Sequence, residues 1–257
     1  MPDVRIWACL VVSLVVLWLG ILIGIWFRSI RTEVVESESK MLTVLEGALL
    51  TLFGLLMGFT FSMAVSRYDL RKQLVVTEAN AIGTTWLRTA TLTEPTRTEE
   101  QTLLREYIRE RVLYHQEFSR REDLGETMDQ IDKLQGRLWA VASNYAIERR
   151  DTITSLYLQT LNQTIDVEGE RVAADENRIP MGAWAILLFV GFVSTIVVGT
   201  KVGPRAWILQ AVLPVVLAIT MAMTMDLDSP RFGLIRIDQA PLEKVAQTMG
   251  RLPQQAP

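Results

Sequence analysis

The 257 residues contain one cysteine and one histidine. Cys9 has no second thiol with which to close an internal disulfide, and a zinc site of cysteines and histidines needs about four ligands. His115 lies in a charged stretch with no nucleophile beside it, which reads as a solvated side chain rather than a general base. No G-x-x-x-x-G-K-[ST] loop, no G-x-G-x-x-G behind a strand and no H-E-x-x-H occurs. These absences argue against an enzyme, a cofactor and a bound metal. Sustained apolar/polar alternation and Asn-Gly or Asp-Gly hairpin turns are missing too, so strands are not expected. Charge of one sign is not in excess: the net charge is −3, with neither a basic stripe for nucleic acid nor an acidic tail.

What is abundant is apolar sequence, and it is segregated. Four uncharged runs stand out: Ile6 to Phe27, Gly47 to Ser66, Ile179 to Thr200 and Ala206 to Met225. Each has about twenty residues, enough at ~1.5 Å per residue to cross a hydrocarbon core of roughly 30 Å. The first run is longer than the apolar part of a secretory signal, and Arg28-Ser-Ile-Arg follows it instead of a small-x-small cleavage site, so it reads as a retained anchor. The expected fold class is an all-α membrane protein with four transmembrane helices. Residues 1–66 form a first hairpin with spans at about 6–27 and 43–66, and 67–178 a helical cytoplasmic domain. Residues 179–225 form a second hairpin, and 226–257 a cytoplasmic tail.

Orientation follows from cations near the span ends. Arg5, Arg67, Arg71, Lys72, Arg171, Arg178, Arg231, Arg236 and Lys244 share one side, against Arg28, Arg31, Lys40, Lys201 and Arg205 on the other. The excess places both termini and the middle domain in the cytoplasm of a prokaryotic inner membrane.

Between Met41 and Leu92 no proline interrupts the chain, so the second span is expected to continue outward as one long helix. Pro95 breaks it. Thr98-x-x-Gln101 has the form of a capping box and should open the next helix, to about Arg120. Gly125 marks a loop, after which Thr127-x-x-Gln130 offers a second box. Met128, Ile131, Leu134, Leu138, Val141 and Tyr145 then recur at threes and fours, the core stripe of an amphipathic helix. Helical pattern resumes from Ile153 to Ile165, with Gly169 a weak point, until Pro180 starts the third span.

Two stretches carry a family likeness. One runs from Gly54-Leu-Leu-Met-Gly-Phe-Thr-Phe-Ser through Arg67-Tyr-Asp-Leu-Arg-Lys to Glu78-Ala-Asn-Ala-Ile-Gly-Thr-Thr-Trp; the other is Met225-Asp-Leu-Asp-Ser-Pro-Arg-Phe-Gly-Leu-Ile-Arg. With the four-span layout, they resemble a prokaryotic multi-pass membrane family labelled bestrophin-like. The resemblance implies kinship with bestrophins, pentameric anion channels with cytosolic helical domains, and brings no established functional residues.

Candidate residues lie in both stretches. Gly47, Thr51, Gly54, Gly58 and Ser62 follow at steps of three and four, a small face suited to close helix approach. Alternatively that face lines a narrow path, with Phe53, Met57 and Phe61 as an apolar constriction that gates by dewetting. Gly20 and Gly24 make a similar small pair in the first span. Glu46 reads as an interfacial carboxylate or, in an oligomer with this helix innermost, as a ring that attracts cations. Arg67, Arg71 and Lys72 read as anchoring cations at the membrane edge. Glu78, Asn80 and Gly83 lie where small and polar side chains cluster, with Asn80 and Thr84 expected to bond across a helix interface or to line a ligand site. Asp226 and Asp228 are expected to bond turn amides and to pair with Arg231 rather than to hold a metal.

The leading expectation is a homo-oligomeric, channel-like protein in the lipid bilayer that passes small ions, with the path between subunits. The rival is a non-conducting scaffold or sensor whose cytoplasmic helices bind a partner. An inverted-repeat transporter fits less well, because Pro204 and Pro214 have no counterparts in the first two spans.

Overall fold

The computed structural model describes residues 4–30, 36–120, 124–201, 207–230 and 234–251. Among them are eight helices and no strand: α1 Val4–Ile30, α2 Glu36–Thr89, α3 Thr96–Arg120, α4 Gly125–Glu148, α5 Thr152–Glu176, α6 Met181–Lys201, α7 Trp207–Asp228 and α8 Ala240–Arg251. Stretches of α1, α2, α6 and α7 are long and apolar enough to cross a membrane. Helix α2 is unbroken over 54 residues, about 80 Å, as the absence of proline predicts.

The helix ends differ from the sequence reading in several places. Both boxes lie inside helices. The Glu94 carboxylate accepts the Thr98 amide (3.2 Å) and hydroxyl (2.8 Å), so α3 starts at Thr96, ahead of Thr98. Gln101, instead of reaching back to a cap, donates to Thr89 Oγ1 at 3.0 Å. Gly125 opens α4 and Thr127 is buried in its first turn. The break at 149–151, which the periodicity passes over, is set by Asp151: its carboxylate accepts the Thr154 amide at 2.7 Å and caps α5. Gly169 does not interrupt α5, which continues to Glu176.

Two compact units form, one from Met1–Tyr68 with Arg178–Arg236, the other from Asp69–Asn177 with Ile237–Pro257. In the first, α1 packs on α6 and α7. Its helices approach closely because glycines meet there. A Cβ on Gly24 would collide with Ile196 O and the Gly199 backbone, and one on Gly199 would lie 3.0 Å from Gly24 Cα. One on Gly191 would lie 3.0 Å from Leu17 and 3.1 Å from Phe53. Lipid supplies no hydrophobic drive for pairing, so this backbone proximity and its dispersion contacts hold the helices together.

In the second unit, α3 packs on α4 and α8, and α4 on α5. The predicted stripe of α4 is largely the observed one: Ile131, Leu134, Leu138 and Tyr145 are buried, while Met128 is exposed. Tyr107, Leu104, Tyr157 and Leu161 complete the core, each contributing on the order of 2 kcal/mol by leaving water. Within the segment after the fourth span, α8 buries Leu242 and Met249 in that same core.

Candidate functional site

Helix α2 divides its membrane half into two faces. Phe53, Met57, Thr60 and Ala64, at steps of four, three and four, are buried in the chain's own core. The opposite face carries Gly47, Thr51, Gly54, Gly58 and Ser62, all exposed. A Cβ on Gly47, Gly54 or Gly58 would meet no atom within 4 Å. The small stripe is therefore unused among the described residues, in contrast to Gly20, Gly24, Gly191 and Gly199. Phe61 is 44% exposed at the edge of this stripe, with Leu55 and Phe59 exposed beyond it. The three residues expected to form one apolar constriction are thus separated: Phe53 and Met57 pack inward, and Phe61 alone remains accessible.

At one end of this unit, Glu46 is neither isolated nor free. Lys201, in the last turn of α6, donates to its carboxylate at 2.6 Å and to Thr43 Oγ1 at 2.8 Å, while Arg28 donates to the Lys201 carbonyl at 2.7 Å. The cation balances the carboxylate locally, which weakens the field that a ring of bare glutamates would project.

At the other end, the second family-like stretch makes a pair of clamps. The Asp226 carboxylate accepts the amides of Leu234 (2.9 Å) and Ile235 (3.0 Å), the expected turn bonds. Asp228 accepts the Ile179 amide at 3.1 Å and pairs with Arg67 at 3.3 Å. Arg178 donates to the Asp228 carbonyl at 2.9 Å. Arg231, the expected partner, lies outside the described residues. Among the described residues no group of three or more acidic, histidine or cysteine side chains converges as a metal site would require.

In the other unit, the cations read as membrane anchors are differently employed. Arg71 is buried and donates to the carbonyls of Ala174 (3.0 Å) and Asn177 (2.9 Å), satisfying the C-terminal turn of α5. Lys72 is exposed.

Glu78 stands at the centre of a buried ion cluster. Arg111 Nε donates to one carboxylate oxygen at 2.6 Å and Arg171 Nη1 to the other. Arg111 also reaches Glu168 at 3.0 Å, and Arg171 reaches Gln239 at 3.1 Å and His115 Nδ1 at 3.5 Å. Burial pushes the Glu78 carboxyl up, but the two guanidiniums outweigh it and hold the group below the usual carboxylate range. His115 is correspondingly not solvated. Burial, with Arg171 and Arg111 beside it, keeps its imidazole well below the usual histidine range and neutral, and Nδ1 must accept from Arg171. Asn80 and Thr84 are exposed; the buried inter-helix hydroxyl bond is made by Thr85, to Thr164 at 2.9 Å. A Cβ on Gly83 would lie 3.9 Å from the Val245 side chain of α8. Sequence spacing missed Arg111, His115 and Arg171 because they come from helices far apart in the chain; a hint lay in Glu78 falling on an apolar face at a buried period.

Comparison with known proteins gives a consistent result. Solved structures share the fold at low identity. A bacterial bestrophin homologue from Klebsiella pneumoniae, in a point-mutant form, has a TM-score of 0.67 at 15% identity, covering 94% of this chain and 96% of that one. Another structure of that homologue, phased on zinc, scores 0.66 at 13% identity and covers 95% of each chain. A mutant membrane protein scores 0.62 at 17% identity, with 97% of each chain covered. No curated protein matches. The model of the bestrophin-like domain matches residues 15–242, nearly the whole chain and both of the stretches that carried the likeness, and the chain belongs to that family.

Proposed function

We propose that this chain is a homo-oligomeric, ion-channel-like protein of the prokaryotic inner membrane, with both termini and the polar unit in the cytoplasm. One observation carries the reading: the small face of α2 is exposed along its length, while Gly20, Gly24, Gly191 and Gly199 of the membrane unit pack against neighbouring helices of the same chain. Helices in lipid associate through such faces, and four thin spans enclose a water path only between copies. In this arrangement the Gly54, Gly58 and Ser62 face meets neighbouring subunits and the path, and Phe61 supplies the large apolar group beside it, where dewetting gates ion passage. The pairing of Glu46 with Lys201 removes the cation bias that an unpaired carboxylate ring imposes. Family membership supports the channel-like class.

The test is the mass and symmetry of detergent-solubilised particles together with ion flux in proteoliposomes. A symmetric ring with α2 innermost and measurable flux is expected. A strictly monomeric particle, or silence across a wide range of salts, voltages and pH, overturns the reading in favour of a scaffold whose helical unit binds a partner.

A further inference from the structure

Glu100, on α3, is fully buried, as is the partner it contacts. Its Oε2 accepts the Tyr157 hydroxyl of α5 at 2.8 Å, and its Oε1 has no hydrogen-bond partner. Among the described residues no cation pairs with it. The arginines of the surrounding helices are engaged by other groups. Arg88 of α2 donates to the Leu156 carbonyl at 2.5 Å; Arg97 donates to the Leu92 carbonyl at 3.0 Å and lies 3.8 Å from Glu94. Arg105 donates to the Met249 carbonyl of α8 and lies over the Trp86 ring; Arg149, at the end of α4, stacks on Tyr145. Glu99, the chain neighbour, adds charge of the same sign.

This is the opposite of the environment of Glu78, which two guanidiniums enclose. A buried carboxylate with one hydroxyl donor and no counter-ion is strongly disfavoured, whereas the neutral acid sits there at little electrostatic penalty. We propose that Glu100 is a proton-operated latch between α3 and α5: the neutral acid is accommodated in their dry contact, and on losing its proton it becomes a carboxylate whose demand for water the single Tyr157 bond does not offset, which loosens that contact. Burial raises the Glu100 carboxyl to about 7, with the Tyr157 bond acting against the rise and Glu99 adding to it. The latch therefore operates across the range a prokaryotic cytoplasm spans, closed on the acid side and released on the alkaline side.

The test uses the full-length protein in nanodiscs. Infrared difference spectra of wild type against Glu100→Gln report a protonated carboxyl band that is present at pH 6, lost by pH 8.5 and absent in the variant. Tyr157→Phe moves the midpoint of that loss to higher pH, because it removes the one donor that favours the ionised form. Hydrogen exchange of the amides of α5 from 154 to 164, corrected for the intrinsic effect of pH, should rise at least about threefold between pH 6 and 8.5 in wild type and stay flat in Glu100→Gln, which retains shape and the Tyr157 bond. An ionised Glu100 at pH 6 overturns the proposal, as does a rise in exchange of equal size in both proteins or no rise in wild type.

Discussion

At the residue scale, the polar unit spends its buried charge on Glu78. Its carboxylate neutralises two guanidiniums that have lost water, so removing that charge takes the carboxylate partner from Arg171 and leaves Arg111 to Glu168, and breaking a buried pair in this way typically costs about 3–5 kcal/mol. Glu78→Gln is expected to lower the unfolding midpoint of the purified protein markedly, whereas Asn80→Ala and Thr84→Ala, both on the exposed side, should stay within about 0.5 kcal/mol. Equal effects from the three would show that the cluster is incidental. His115 gives a pH-dependent signature. Its folded-state pKa lies below the unfolded one, so its contribution is fully present above about 6.5 and is lost as pH falls beneath that value. Glu100 runs the other way, losing stability as pH rises from about 4.5 to 7. Acid unfolding measured in the Glu100→Gln background should therefore isolate the histidine. There, His115→Asn is expected to flatten the slope between pH 6.5 and 5, and an unchanged slope would place the acid sensitivity elsewhere.

At the element scale, glycines with the same spacing do different work. Gly24 and Gly199 let α1 and α6 approach to backbone contact, whereas a Cβ on Gly54 or Gly58 of α2 would meet no atom of the described residues within 4 Å. Gly24→Leu is therefore expected to abolish folded, monodisperse protein, while Gly58→Leu should preserve helix content and subunit folding but disrupt assembly. Size-exclusion chromatography with light scattering separates the two results; loss of folding in both would mean that the open face has an internal role. The same reasoning divides the apolar residues of α2. Phe61→Ser should raise basal flux in proteoliposomes by wetting the path, while Met57→Ser, inside the subunit core, should reduce stability and leave flux per folded protein unchanged. A silent, fully assembled Phe61→Ser protein removes the gate from that position.

At the scale of the whole molecule, the proposed orientation puts the loop between α1 and α2 away from the cytoplasm and α4 within it. Cysteines placed at Ser39 and Asp129, both exposed, are expected to react from opposite sides of intact cells: Ser39→Cys with an impermeant reagent from outside, Asp129→Cys only after permeabilisation. Cys9 is replaced first. Labelling of both from outside would reverse the orientation. The spans themselves were legible because an uncharged run of about twenty residues has few alternatives to crossing a bilayer, and the unbroken α2 because nothing in it disfavours a helix. The helix starts were less legible, since the motif around Thr98 is satisfied equally well inside a first turn once Glu94 supplies the capping oxygen.

The sequence by itself determined the element type and the membrane plan, because hydropathy over twenty residues and the absence of proline act locally and do not depend on neighbours. It also determined that Asp226 would bond turn amides, since those amides lie within nine residues of it. Only the tertiary structure decided which face of α2 stays open, which of two acidic side chains receives cations and which is left without one, and that His115 is buried. Those outcomes depend on side chains brought together from helices distant in the chain. Burial converts ordinary carboxylates and an ordinary histidine into groups whose charge is set by whatever else is buried beside them.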